Sequence, residues 1–333
     1  MTEAIIKNGH IIESEMLKNA LNGDIEAANR SLKYLSSTNP HLCTIMQTAI
    51  HELKDANIWP KLLTCLALHQ WDEKLDCERR SDPSASIRID QAIIEVFVED
   101  KNGWEKNAKE KVLHEAITDP TPRVRFAGAY LLGLRGDHQA IPILAEAVQS
   151  RYQDWKSRAA KALANIKHEQ CGPPLLQLLI ENKGDLHREA SRALHSLGPL
   201  AKSAWQDALD HPDSHIRWHA ARALGEMGDT SMATLLAEGL RDDDYVVRWA
   251  TADVLARLGA EGVTATLTML TRYPITEQFR QAAYHALHGN VSSEVQKRLK
   301  PLLDSMRGVA ASIESAIIAQ DLLLNWEKGN NGN

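Results

Sequence analysis

The chain has 333 residues, a formal net charge of −6, 5% aromatic residues and only three phenylalanines. A negative overall charge excludes binding to nucleic acid through the field of the whole molecule. The scarcity of aromatics, beside abundant alanine and leucine, suits close helix packing rather than a sheet core.

Residues 1–118 read as divergent helical pairs. Apolar periodicity predicts helices over 13–21 and 24–35, with Gly23 as stop and Asp24 as cap. It predicts a second pair over 40–53 and 58–71, and a third over 87–100 and 104–117. The polar stretch 72–86 contains Pro83 and is expected as a loop. The N-terminus lacks a charged leader and a long apolar core, and no apolar run reaches membrane-spanning length. A cytoplasmic chain with no membrane segment is expected. The four cysteines, Cys43, Cys65, Cys77 and Cys171, form no CxxC pair and read as free thiols.

From residue 119 a phrase recurs, clearest at 213–229 as DSHIRWHAARALGEMGD. Anchored on leucine it falls at Leu132, Leu163, Leu194, Leu224, Leu255 and Leu287, a period of about 31 residues. Seven residues before each stands a basic residue or histidine: Arg125, Lys156, His187, Arg217, Arg248 and Arg280. The preceding position is apolar, and the one three residues after is small. Such a period holds two helices of roughly 12 residues with two short turns. A unit of that size buries its apolar face only against neighbours. Residues 119–290 are therefore expected as six repeats, 291–327 as capping helices and 328–333 as a disordered tail. The caps should divide near Gly308, and Pro301 should kink or break the first of them.

The phrase VR-x-A-A-x-A-L-G-x-x-G-D resembles HEAT repeats, in particular the short repeats of the phycobilisome-lyase type. The resemblance implies an all-α fold, an α-solenoid of stacked antiparallel helix pairs. It also implies a ladder of Asp and Arg side chains between repeats, here Asp119, Arg125, Arg217, Asp242, Arg248 and Arg280. The equivalent Asp slots Ser150, Glu181, His211 and Pro274 depart from it. In such solenoids the second helix of each pair lines the concave groove.

On a helical wheel the columns one, five and eight after the basic residue lie opposite the core stripe. They place Phe126, Tyr130, Lys161, Arg188, Arg192, Trp218, Arg222, Trp249, Asp253 and His285 toward that groove. Small residues of column eight, such as Gly133 and Gly225, are expected to leave room for a ligand. Aromatic rings among cations are common material of binding hot spots. The expectation is a non-enzymatic scaffold for an acidic protein segment or another anionic partner, with nucleic acid not expected. Trp218 and Trp249 also have a plain reading as partly buried packing residues.

Catalytic motifs are missing: no phosphate-binding glycine loop and no nucleophile elbow occurs. The His-Glu pairs at 51, 114 and 168 lack the spacing of the di-iron hydroxylases they resemble. His215 and His219 stand one turn apart, with His211 a turn earlier, but no further ligand is placed, so no metal or other cofactor is expected. The family resemblance keeps two alternatives open. One is a bilin lyase or chaperone-like protein acting on a tetrapyrrole-bearing protein. The other is a DNA-binding or DNA-glycosylase-type relative with Asp253 beside Trp249.

Overall fold

A computed structural model describes residues 13–38, 42–53, 58–71, 92–98, 106–289, 293–308 and 311–330. The expected loop at 72–86 and the last three residues of the expected tail lie outside the described residues. Every regular element among the described residues is an α- or 3-10 helix. The protein is an all-α solenoid built of helix pairs. None of the described helices is long and apolar enough to cross a membrane.

The chain divides into two compact units, one up to Ala193 and one from Leu194 onward. The division falls inside the segment expected as six repeats. In the first unit, α1 (13–22), α2 (Ile25–Thr38), α3 (Leu42–Leu53), α4 (Ile58–Trp71), α5 (92–98) and α6 (Lys106–Ala116) precede the repeats. Asp24 caps α2, its carboxylate accepting the Ala27 backbone N–H at 2.6 Å. There follow α7 (Pro122–Leu134), α8 (Ile141–Ala147), α9 (Gln153–Ile166), α10 (Gly172–Glu181) and α11 (Asp185–Leu197), the last reaching the division. The second unit adds α12 (Lys202–Ala208), α13 (Ser214–Met227), α14 (Ala233–Ala237), α15 (Tyr245–Arg257), α16 (Ala260–Arg272) and α17 (Glu277–His288). It closes with α18 (Ser293–Ser305) and α19 (Ala311–Asn330).

The repeat phrase is a set of local instructions. Asp213 caps α13 by accepting the His215 N–H at 2.9 Å. Ile216, Ala220 and Leu224 then recur on one face and are buried. Gly228 ends the helix in the left-handed region at φ 65°, which glycine adopts without steric cost. Asp229 immediately caps the next turn, accepting the Ser231 N–H at 3.0 Å. The earlier Gly136-Asp137 pair repeats the device, with φ 81° and a cap on the Gln139 N–H.

Second helices pack directly on one another within each unit: α7 on α9, then α13 on α15 and α15 on α17. The six anchor leucines are buried throughout. Pro301 sits inside α18 without breaking it, and α18 ends at Ser305. The last helix α19 packs on α16 and runs to Asn330, three residues into the expected tail.

Candidate functional site

The ladder residues show what the basic column does. Arg217 clasps Asp242 with two parallel hydrogen bonds, from Nε and Nη2 to the two carboxylate oxygens at 2.7 Å each. The fork geometry suits guanidinium and carboxylate, and the hydrogen bonds to Asp242 are the main cause that raises the arginine pKa further. Arg217 Nη1 also donates to the carbonyls of His211 and Pro212 at 2.7 and 2.9 Å. Arg125 donates likewise to the carbonyls of Asp119 and Pro120, and Arg248 to those of Asp242 and Asp243. Each arginine thus holds the loop that leads into its own helix. In the first unit Lys156 reaches Asn182 at 3.3 Å, an uncharged stand-in for a rung. Asp119 turns its carboxylate to the Thr121 N–H at 2.7 Å.

Arg280 departs from this pattern. Its guanidinium has no hydrogen-bond or ion-pair partner among the described residues. The matching loop contributes Pro274 and Ile275, and the Ile275 carbonyl accepts instead from the Ser312 hydroxyl of α19 at 3.0 Å.

The residues expected in the groove fall into three groups. Phe126 and Tyr130 are buried, at 1% and 3% exposure, which corrects their placement on a binding face. The cause is the next repeat: Trp155 lies flat on Phe126 with ring centroids 4.7 Å apart, and Arg158 stands over Tyr130. Lys161, Arg188 and Arg192 are exposed. Arg188 pairs with Asp185 one turn earlier on the same helix.

The third group lies in the second unit, on α13, α15 and α17. Trp218 and Trp249 are half-buried. Trp218 stacks on His215 and lies under the Arg222 guanidinium, 4.9 Å from its ring centre. Arg222 also reaches Glu226 at 3.4 Å, and Glu226 meets His195 at 3.4 Å from its other oxygen. Trp249 meets Tyr245 edge-on at 5.6 Å and His285 at 4.2 Å, and His285 contacts the Asp253 carboxylate at 2.6 Å. The expected positive stripe is therefore charge-compensated here: Glu226 and Asp253 sit among the cations.

Column eight also has a different purpose. A Cβ on Gly225 would lie 2.3 Å from Val254 of the next second helix, and one on Gly133 2.8 Å from Ala162. The small side chains let helices approach each other and leave no ligand space.

Sequence reasoning missed a cavity at the C-terminal end of the second unit. It measures about 280 Å³ and is lined by Trp249, Arg280, Gln281, Tyr284, Met306 and Arg307. Arg307 lies over the Tyr284 ring, 5.0 Å from its centre, and donates to its hydroxyl. The period gave no signal for Arg307 and Met306, because they come from the cap and not from a repeat.

A family profile described as HEAT repeats matches residues 79–164 and 202–288, just over half of the chain. The chain belongs to the HEAT-repeat family. A profile of the PBS lyase HEAT-like repeat matches residues 155–181, one helix pair of this HEAT-repeat protein. No curated protein matches the sequence. Solved structures with a similar fold include an engineered protein, 17% identical, with 95% of this chain and 99% of that one covered and a TM-score of 0.37. The complex of CpcE and CpcF of phycocyanin lyase from a Nostoc species is 18% identical, covers 79% of this chain and 94% of that one, and has a TM-score of 0.29. Importin beta is 15% identical over 93% of this chain and 47% of its own length, with a TM-score of 0.45.

Proposed function

We propose that this HEAT-repeat protein is a non-enzymatic scaffold that binds another protein through the second-helix face of its C-terminal unit. The observation that carries this reading is the pair Trp218 and Trp249, half-exposed on adjacent packed helices and framed by Arg222, Asp253 and His285. Half-exposed tryptophans edged by hydrogen-bonding groups supply apolar contact area and orientation together. The neighbouring ion pairs are internally compensated, so the rings supply the anchoring and the charges supply register.

The test takes the tagged full chain, identifies captured proteins by mass spectrometry, and measures one purified partner by calorimetry. Trp218→Ala combined with Arg222→Ala is expected to weaken that complex by about 2 kcal/mol or more. Unchanged affinity in the folded double variant removes this face from the interface.

A further inference from the structure

We propose that the cavity beside Trp249 is a carboxylate-binding subsite, taking an acidic residue adjacent to a large apolar one from an extended peptide. The inference rests on the protein-binding reading and shares Trp249 with it, but it turns on Arg280 and Arg307, which that reading does not use. Its basis is the release of Arg280. The equivalent Arg125, Arg217 and Arg248 all donate to the two carbonyls lying six and five residues before them. Arg280 makes neither bond: the carbonyls of Pro274 and Ile275 stand at the equivalent places, and that of Ile275 accepts from the Ser312 hydroxyl. The guanidinium has no acceptor among the described residues and lines the cavity.

Arg307 lines the same space, and among the described residues its guanidinium meets the Tyr284 hydroxyl and ring. Two guanidinium groups therefore border one cavity, and among the described residues no carboxylate lines it. Each offers a planar fork of N–H donors, of which few are used, and a carboxylate matches that fork in both geometry and charge. The remaining lining residues are Trp249, Tyr284, the buried Met306 and Gln281, largely a surface for an apolar or flat side chain. At about 280 Å³ the space lies just below the usual range for ligand pockets, room for one side chain with its charged neighbour. The shared chemistry, an oxyanion next to an apolar body, also occurs in small arylalkyl acids, and the test separates the two sources.

The full chain is titrated by calorimetry at low salt with a blocked nonapeptide of alternating glutamate and phenylalanine. A second peptide replaces each glutamate by glutamine, and 3-phenylpropionate is the small acid. The glutamate peptide is expected to bind at least tenfold more tightly than the glutamine peptide. Arg280→Gln with Arg307→Gln should abolish that preference. Arg307→Gln alone, at an exposed position after α18, should reduce it severalfold and serves if the double variant does not fold. Equal affinity for the two peptides overturns the proposal, as does a preference that survives both variants. Binding of 3-phenylpropionate as tight as that of the glutamate peptide overturns the peptide assignment. The Trp218 and Arg222 variants leave this cavity intact, so loss of either site is read separately from the other.

Discussion

Arg217 and Asp229 carry two ion pairs of different character. The Arg217–Asp242 pair is bidentate, and its side chains are only 16% and 10% exposed. Removing one partner of such a pair leaves the other charge poorly solvated, which typically costs 3–5 kcal/mol. Arg217→Ala should therefore lower unfolding free energy by about 3 kcal/mol in denaturant titration. A change below about 1 kcal/mol would place the rung among ordinary surface pairs. Asp229 is more open. It is held by Lys202 at 2.5 Å, then by Ser231, and these hydrogen bonds lower its pKa from 3.8 to about 2. A carboxylate acidified by folding stabilises the folded state above pH 3.8, and that contribution disappears as pH falls toward 2. Thermal unfolding between pH 2 and 6 should show a shallower acid loss in Asp229→Asn than in the parent. Superimposable acid limbs would mean that Lys202 and Asp229 also pair in the unfolded chain.

For the elements, the sequence had direct authority. Each repeat phrase encodes its buried stripe, and α13, α15 and α17 add a side-chain cap from Asp213, Asp244 and Thr276, so the second helices were legible before any tertiary contact was known. What one helix meets was less legible. Gly225 illustrates the limit: on the wheel it faces away from the core, yet it touches Val254 on α15. Gly225→Ala tests this contact. Alanine gains about 1 kcal/mol in helix propensity. Val254 is β-branched and cannot swing aside, and overpacking of this kind costs 1–3 kcal/mol. Gly225→Ala should be net destabilising by about 1 kcal/mol, with Val254→Ala restoring much of it in the double variant. A gain in midpoint would show that α13 and α15 can move apart cheaply.

At the scale of the whole molecule, a solenoid must cover the apolar face of its final repeat. Here α19 covers α16, whose Val263, Leu267 and Leu270 are fully buried. Deleting 311–333 should expose that face, lower the thermal midpoint and raise binding of an apolar fluorescent dye. Unaltered dye binding would assign the covering role to α18.

The sequence alone determined the all-α repeat architecture and the buried leucine and small-residue columns, because these follow from a 3.6-residue period. The same period puts Trp218, Trp249 and Arg222 opposite the core stripe; Arg222 is exposed and both rings are half-buried. Only the tertiary structure decided which outward residues stay open. Phe126 and Tyr130 point away from their own core stripe, yet Trp155 and Arg158 of the next repeat cover them. Arg280 has the same place in the phrase as Arg217, yet it donates to neither loop carbonyl and borders a cavity lined also by Met306 and Arg307. A periodic pattern fixes directions about one helix axis; burial and pairing depend on side chains about 30 residues away, which the period does not specify.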